Sequence, residues 1–250
     1  MSFYDSLGRP GDPFNVLFDS HGVRDSVGVY DTAEFADNPE ARCSIVLIVD
    51  NSGSMSGDKI ATVNRALVKF GDIIRGDAVT ALRADVAIVA ASNNPWVVQD
   101  FTNGADFKPP ILGIEPAEYY SKGINLALDM IEARKQSYRD GGIAYYRSLA
   151  YFLGDGYPTI DSRQELDQVS ARVFQMEENR GVAFFIFGVG IGGSCDMNML
   201  ARLGPRPPQL LTNLEQLDGS IQWLARSVAA ISRSQPGEGI RLPEQDFLNQ

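Results

Sequence analysis

The chain has 250 residues, 44% hydrophobic and 22% charged, a balance that excludes a disordered or fibrous protein and fits a globular one. A formal charge of -10 argues against a nucleic-acid binder whose affinity rests on phosphate contacts. It suits cationic partners or plain solubility, and the length suits one α/β domain of about 200 residues with short tails.

Only two cysteines occur, Cys43 and Cys195, so no disulfide framework is implied and a reducing compartment is expected. The first residues, Met1 to Gly8, lack a basic stretch followed by an apolar one, so no signal peptide is visible. No apolar run approaches the roughly 20 residues of a membrane span. The expected location is cytoplasmic, with no membrane and no nucleic acid among the partners.

Residues 1–42 are rich in Gly, Asp, Asn and Pro, with turn signals at Gly11-Asp12-Pro13 and Asp37-Asn38-Pro39. Their scattered apolar residues (Phe14, Val16, Leu17, Phe18, then Val27, Val29, Tyr30) allow one or two short strands, or an arm that packs on a partner. The only histidine, His21, precedes Gly22 and reads as a turn residue. From Ser44 the pattern changes. Ile45 to Val49 form an unbroken apolar, β-branched run that predicts a strand buried on both faces. It ends in Asp50-Asn51-Ser52-Gly53-Ser54.

Asp58 to Arg75 follows as a helix, with Ile60, Val63, Leu67 and Phe70 at helical spacing, and Gly76-Asp77 stops it. Ala84 to Ala90 and Trp96 to Phe101 predict two strands in an antiparallel hairpin, because only a short link joins them. A polar loop, Asn103 to Ala117, leads to a helix from about Lys122 to Tyr138. Ser148 to Leu153 is the next strand and ends in Gly154-Asp155-Gly156. Asp161 to Asn179 predicts a helix and Val182 to Val189 the most apolar strand.

Glycines 188, 190, 192 and 193 invite a nucleotide-loop reading. Without Gly-Lys-Ser/Thr or the Gly-x-Gly-x-x-Gly spacing, a tight strand exit is the better account. A short helix over Met197 to Leu203, a short strand over Gln209 to Thr212 and a helix over Leu214 to Ile231 complete the pattern. Pro236 onward reads as a tail. The alternation predicts an α/β fold, a doubly wound, mostly parallel six-stranded sheet with one antiparallel edge strand and helices on both faces.

In such sheets ligands bind beyond the carboxyl ends of the strands. Asp50 and Asp155 both stand at such ends. Asp50, Ser52 and Ser54 offer oxygen at alternate positions, the donor set of a hard cation such as Mg2+. The competing reading is an Asp capping its turn, with serines filling turn positions.

The run Asp50-x-Ser52-x-Ser54 behind an apolar strand resembles the metal-ion-dependent adhesion site of von Willebrand factor A (vWA) domains, over roughly residues 43–234. Tyr145-Tyr146-Arg147 looks like the intracellular TerY-type branch found in tellurite-resistance clusters. The resemblance implies an N-terminal arm (1–42), a vWA domain (43–234) and a C-terminal tail (235–250). It also implies a strand order in which Asp50 and Asp155 flank the switch point.

Ser52 and Ser54 would then ligate Mg2+ (or Mn2+ or Ca2+) directly. Asp50 would hold the shell from outside, and Asp155 would act directly or through water. The family's middle loop supplies a threonine, which Glu115 to Gly123 lacks; Ser121 offers a hydroxyl there and Glu118 a carboxylate. The implied function is recognition, a protein partner's Asp or Glu completing the shell.

Two other classes stay open. One is an assembly subunit that uses the fold as a metal-free scaffold. The other is an Mg2+-dependent phosphatase-like hydrolase, whose second acid would fall where Ser52 stands. A Ser-His-Asp hydrolase has only His21 to draw on.

Overall fold

The computed structural model describes residues 15–17, 35, 37–236 and 238–249, the first three by backbone alone. In chain order it contains β1 (Asn15–Leu17), β2 (Cys43–Val49), α1 (Asp58–Gly76), α2 (Ala78–Arg83), β3 (Ala84–Ala90) and β4 (Trp96–Asn103). Then come α3 (Tyr120–Asp140), β5 (Ser148–Gly154), α4 (Arg163–Glu178) and β6 (Val182–Val189). The last elements are α5 (Met197–Leu200), β7 (Gln209–Leu211), α6 (Leu214–Ser232) and β8 (Gly239–Arg241). His21 and the apolar group Val27, Val29 and Tyr30 lie outside the described residues.

Six strands form one sheet in the order β4-β3-β2-β5-β6-β7, and β1 pairs with β8 in a separate two-stranded sheet. β2 runs parallel to both β3 and β5, β6 parallel to β5 and β7, and β4 is the antiparallel edge. This is the predicted mostly parallel, doubly wound sheet.

The continuous apolar run of β2 follows from its central place, since both its faces are covered. Cys43, Ile45, Leu47 and Val49 face α1 and α6, while Val46 and Ile48 face α3 and α4. Burying each such side chain stabilises the fold by about 1.5–3 kcal/mol. The Cys43 thiol is fully buried, which raises its pKa, in keeping with a structural role. Among the described residues no helix is long and apolar enough to cross a membrane.

Several boundaries differ from the sequence reading. The segment between Gly76-Asp77 and β3 contains α2, too short for periodicity to reveal; Asp77 caps it by accepting from Thr80 N–H at 2.8 Å. α3 begins at Tyr120, two residues earlier than Lys122. Gly188, within β6, serves close packing: a Cβ there would lie 2.6 Å from Met197 Sδ and 2.7 Å from Cys195 Sγ, whereas Gly192 and Gly193 beyond the strand stand in open space.

The segment from Pro236, read as a tail, packs back on the domain. Leu242 and Phe247 are buried, and Trp223 Nε1–H donates to Pro243 O at 2.8 Å. Two isolated apolar residues among polar ones carry no periodic signal, so the sequence did not reveal this docking.

Candidate metal centre

Parallel pairing of β2 with β5 brings two chain exits side by side. Asp50 follows the last residue of β2, and its N–H donates to Leu153 O of β5 at 2.8 Å. Asp155 follows the last residue of β5. Two strands that diverge in sequence by a hundred residues thus deliver carboxylates to one place, at the switch point of the sheet.

Beyond Asp50 the chain makes a 3-10 turn, Gly53–Met55, entered from Ser52. The Ser52 N–H donates to Asp50 Oδ1 at 2.9 Å, and the Ser52 and Ser54 hydroxyls are 3.1 Å apart. Ser52 is buried and Ser54 exposed, so this hydroxyl pair reaches from the interior to solvent. Asn51 carries a second tie, its Nδ2 donating to Gly113 O at 3.0 Å, which fixes the long polar loop beside the turn.

A third carboxylate comes from that loop. Glu118 forms an isolated bridge with Ser92, and Tyr119 N–H donates to Ala91 O at 3.1 Å, which presses the segment against the end of β3. One carboxylate oxygen each from Asp50, Glu118 and Asp155 lie within 4.8 Å of one another, and all three residues are buried. None of the three forms an ion pair with any described Lys or Arg. Three unpaired acids in so small a buried volume repel one another strongly unless a cation or a proton intervenes.

The pKa shifts express this. Burial pushes the Asp50 carboxyl up against the opposing effect of its Ser52 and Tyr120 hydrogen bonds, and Asp155 pushes it further. Burial raises Glu118 to about 7, reinforced by the charges of Asp50 and Asp155.

Tyr120, the first residue of α3, supplies the remaining polar group. Its hydroxyl donates to Asp50 Oδ2 at 2.7 Å, lies 3.2 Å from Asp155 Oδ1 and accepts from Gly156 N–H at 3.3 Å. The ring packs edge-on against Phe152, centroids 4.9 Å apart. Burial and the two neighbouring aspartates hold the phenol well above its usual pKa, so it stays a neutral donor.

The donors divide the carboxylates by role. Both oxygens of Asp50 are engaged, Oδ1 by Ser52 N–H and Oδ2 by Tyr120. Among the described residues, Asp155 accepts on Oδ1 from Tyr157 N–H at 3.0 Å, with the Tyr120 hydroxyl 3.2 Å away. Glu118 accepts on Oε2 from the Thr159 hydroxyl at 3.1 Å.

Asp161 secures the helix that carries Tyr120. The first turn of α3 has no side-chain cap of its own. Asp161 Oδ2 accepts from Tyr120 N–H at 2.7 Å and Oδ1 from Ser121 N–H at 2.8 Å, satisfying two otherwise unpaired donors at the positive end of the helix.

Of the residues singled out in the sequence, Asp50, Ser52, Ser54 and Asp155 meet at the two strand ends, and Glu118 joins them. Ser121 is buried in the first turn of α3, anchored through its backbone, while the hydroxyl that this turn brings onto the carboxylates is that of Tyr120. Sequence reasoning missed Tyr120, Thr159 and Asp161. The only signal was their position, near the start of a helix and in the loop after a strand-ending Asp.

Oxygen donors, three buried carboxylates and a hydroxyl pair, with no described Lys or Arg paired to the carboxylates, fit a hard divalent cation. A family model described as von Willebrand factor type A domain matches residues 44–222. No curated protein matches the chain by sequence.

Among solved structures, the von Willebrand factor type A protein from Catenulispora acidiphila is similar at 15% identity and a TM-score of 0.54, over 76% of this chain and 43% of that one. The pilus adhesin SpaC from Lactobacillus rhamnosus GG is similar at 13% identity and a TM-score of 0.58, over 78% of this chain and 31% of that one. The vWF domain of the type V pili tip protein Mfa5 from Porphyromonas gingivalis is similar at 10% identity and a TM-score of 0.54, over 78% of this chain and 98% of that one. The chain spans less than half the length of the first two. At such identities the likeness concerns the fold alone.

Proposed function

The chain belongs to the von Willebrand factor type A domain family, and on that premise we propose that it is a metal-dependent protein-interaction module. Domains of this family commonly mediate protein interactions and often bind a divalent metal. The observation that carries the reading is the trio of buried, unpaired carboxylates, Asp50, Glu118 and Asp155, beside the Ser52–Ser54 hydroxyl pair.

In this reading Asp155, Ser52 and Ser54 hold a cation of the Mg2+ or Mn2+ kind. Asp50, with both oxygens engaged by donors, orients the shell from behind. The ion supplies an electrophilic point to which a partner's carboxylate binds. The chain's charge of -10 favours a partner whose acid sits in neutral or basic surroundings. The module comprises residues 43–234 with the C-terminal segment packed on it, and Ser121, in the first turn of α3, is a further candidate ligand. Tyr145-Tyr146-Arg147, just ahead of β5, supports placing the chain in the TerY-type branch associated with tellurite resistance. Two free thiols support a cytoplasmic setting.

A second reading, a scaffold that needs no metal, draws on the Tyr120 hydroxyl, which already bridges toward both aspartates. Calorimetric titration with Mn2+ and Mg2+ separates the two. Saturable binding that disappears in Ser52→Ala and in Asp155→Ala supports the metal-dependent module. Heat-silent titrations of the parent protein with both ions support the scaffold.

A further inference from the structure

The third carboxylate of the centre changes what a partner would meet. The sequence places a charged residue, Glu118, on the loop before α3, and the fold turns it inward, 5% exposed, to within 4.8 Å of the oxygens of Asp50 and Asp155. Its tethers are few: a single isolated bridge to Ser92, a backbone N–H donated to Thr159 Oγ1 at 3.3 Å, and the Thr159 hydroxyl donated to Glu118 Oε2 at 3.1 Å. No described Lys or Arg pairs with it. A carboxylate held this close to two others is unfavourable unless something positive shares the volume.

The charge count decides what that implies for a partner. A divalent ion with two carboxylates is electrically balanced and accepts one more anion readily. With Glu118 present the same ion already faces three carboxylates, and a fourth meets net repulsion at close range in a poorly screened site.

Resting on the metal-dependent reading above, we propose that Glu118 is a built-in carboxylate ligand filling the coordination position offered to a partner's acid, with Thr159 as its latch. The centre is then capped from within. The ion binds without a partner, and an acidic partner gains it only when the Glu118 segment is displaced from Ser92 and Thr159.

The test uses the full chain with Mn2+ as the ion and acetate as the carboxylate probe. Bound Mn2+ is counted by electron paramagnetic resonance, and water on the bound ion is read from solvent-proton relaxation. The proposal predicts that the parent binds Mn2+ with low relaxivity and that millimolar acetate changes neither affinity nor relaxivity. In Glu118→Ala, affinity falls at least tenfold, relaxivity per bound ion rises as water enters, and acetate restores affinity while lowering relaxivity. Glu118→Gln repeats the loss with side-chain volume retained, and Thr159→Val gains partial acetate sensitivity.

Equal Mn2+ affinity and relaxivity in the parent and the Glu118 variants overturns the proposal, as does a parent that takes acetate as readily as Glu118→Ala. In both cases, binding that is still lost in Ser52→Ala and Asp155→Ala leaves the metal reading standing. A folded parent that binds no Mn2+ overturns both.

Discussion

The Tyr120 hydroxyl donates to Asp50 Oδ2 at 2.7 Å and so joins the start of α3 to the end of β2 across the floor of the centre. Only one proton is available to it, and the 3.2 Å separation from Asp155 Oδ1 marks the weaker contact. Removing it in Tyr120→Phe leaves a buried carboxylate oxygen without its donor. A hydrogen bond to a charged group is worth about 1.5–3 kcal/mol, so urea unfolding in chelator should show a loss of this order. A change under about 0.5 kcal/mol, the usual range for an inconsequential surface substitution, would mean that the bond contributes little.

The Glu118 carboxyl sets a pH dependence whose sign is fixed by the direction of its shift. Its folded pKa is raised from 4.5 to about 7, so the folded state holds the proton more tightly than the unfolded chain. The contribution is complete below pH 4.5 and is lost as pH rises toward and through 7. In chelator, the melting temperature of the parent relative to Glu118→Gln should therefore fall between pH 4.5 and 8. Cation binding should tighten over the upper part of that range and release protons. Parallel melting curves for the two proteins across the range would show that Glu118 does not titrate in the folded state as described.

Asp161 ties the loop after β5 to the N-terminus of α3 through Tyr120 and Ser121 N–H. Asp161→Ala removes both acceptors, and loss of a helix cap costs about 1 kcal/mol. Because Tyr120 sits on that turn, metal affinity should fall with stability in Asp161→Ala. Stability lost with affinity intact would separate the cap from the centre.

The C-terminal segment is part of the domain's packing. A Cβ on Gly219 would lie 2.5 Å from Phe247 Cβ, so α6 presents a glycine where Phe247 settles, and the Phe247 and Phe187 ring centroids are 6.2 Å apart. Phe247→Ala should cost about 3 kcal/mol or more in chemical denaturation. A negligible loss would mean that the segment lies on the surface without stabilising it.

How far the sequence reveals this molecule follows from how local each signal is. The sheet was legible because β2, β5 and β6 are buried on both faces and therefore read as unbroken apolar runs. Asp50 and Asp155 were legible because a carboxylate directly after such a run marks the ligand-binding end of the sheet. Tyr120 was hidden: an aromatic residue at the head of a helix reads as core, and only the pairing of β2 with β5 shows its hydroxyl standing between two aspartates. Thr159 and Asp161 were hidden for the same reason, since their partners lie about 40 residues away, in the loop before α3 and in its first turn. The burial of Phe247 depends on one glycine in a helix, which sequence reads as a weakness and structure as a seat.

The most direct test of the centre is anomalous diffraction from crystals of the parent protein soaked in Mn2+. The account predicts one strong peak among Asp50, Glu118 and Asp155, within reach of the Ser52 and Ser54 hydroxyls, and its absence in Asp155→Ala. Well-ordered carboxylates with no peak between them, and the Tyr120 hydroxyl still on Asp50, would contradict a metal centre and leave the scaffold reading in its place.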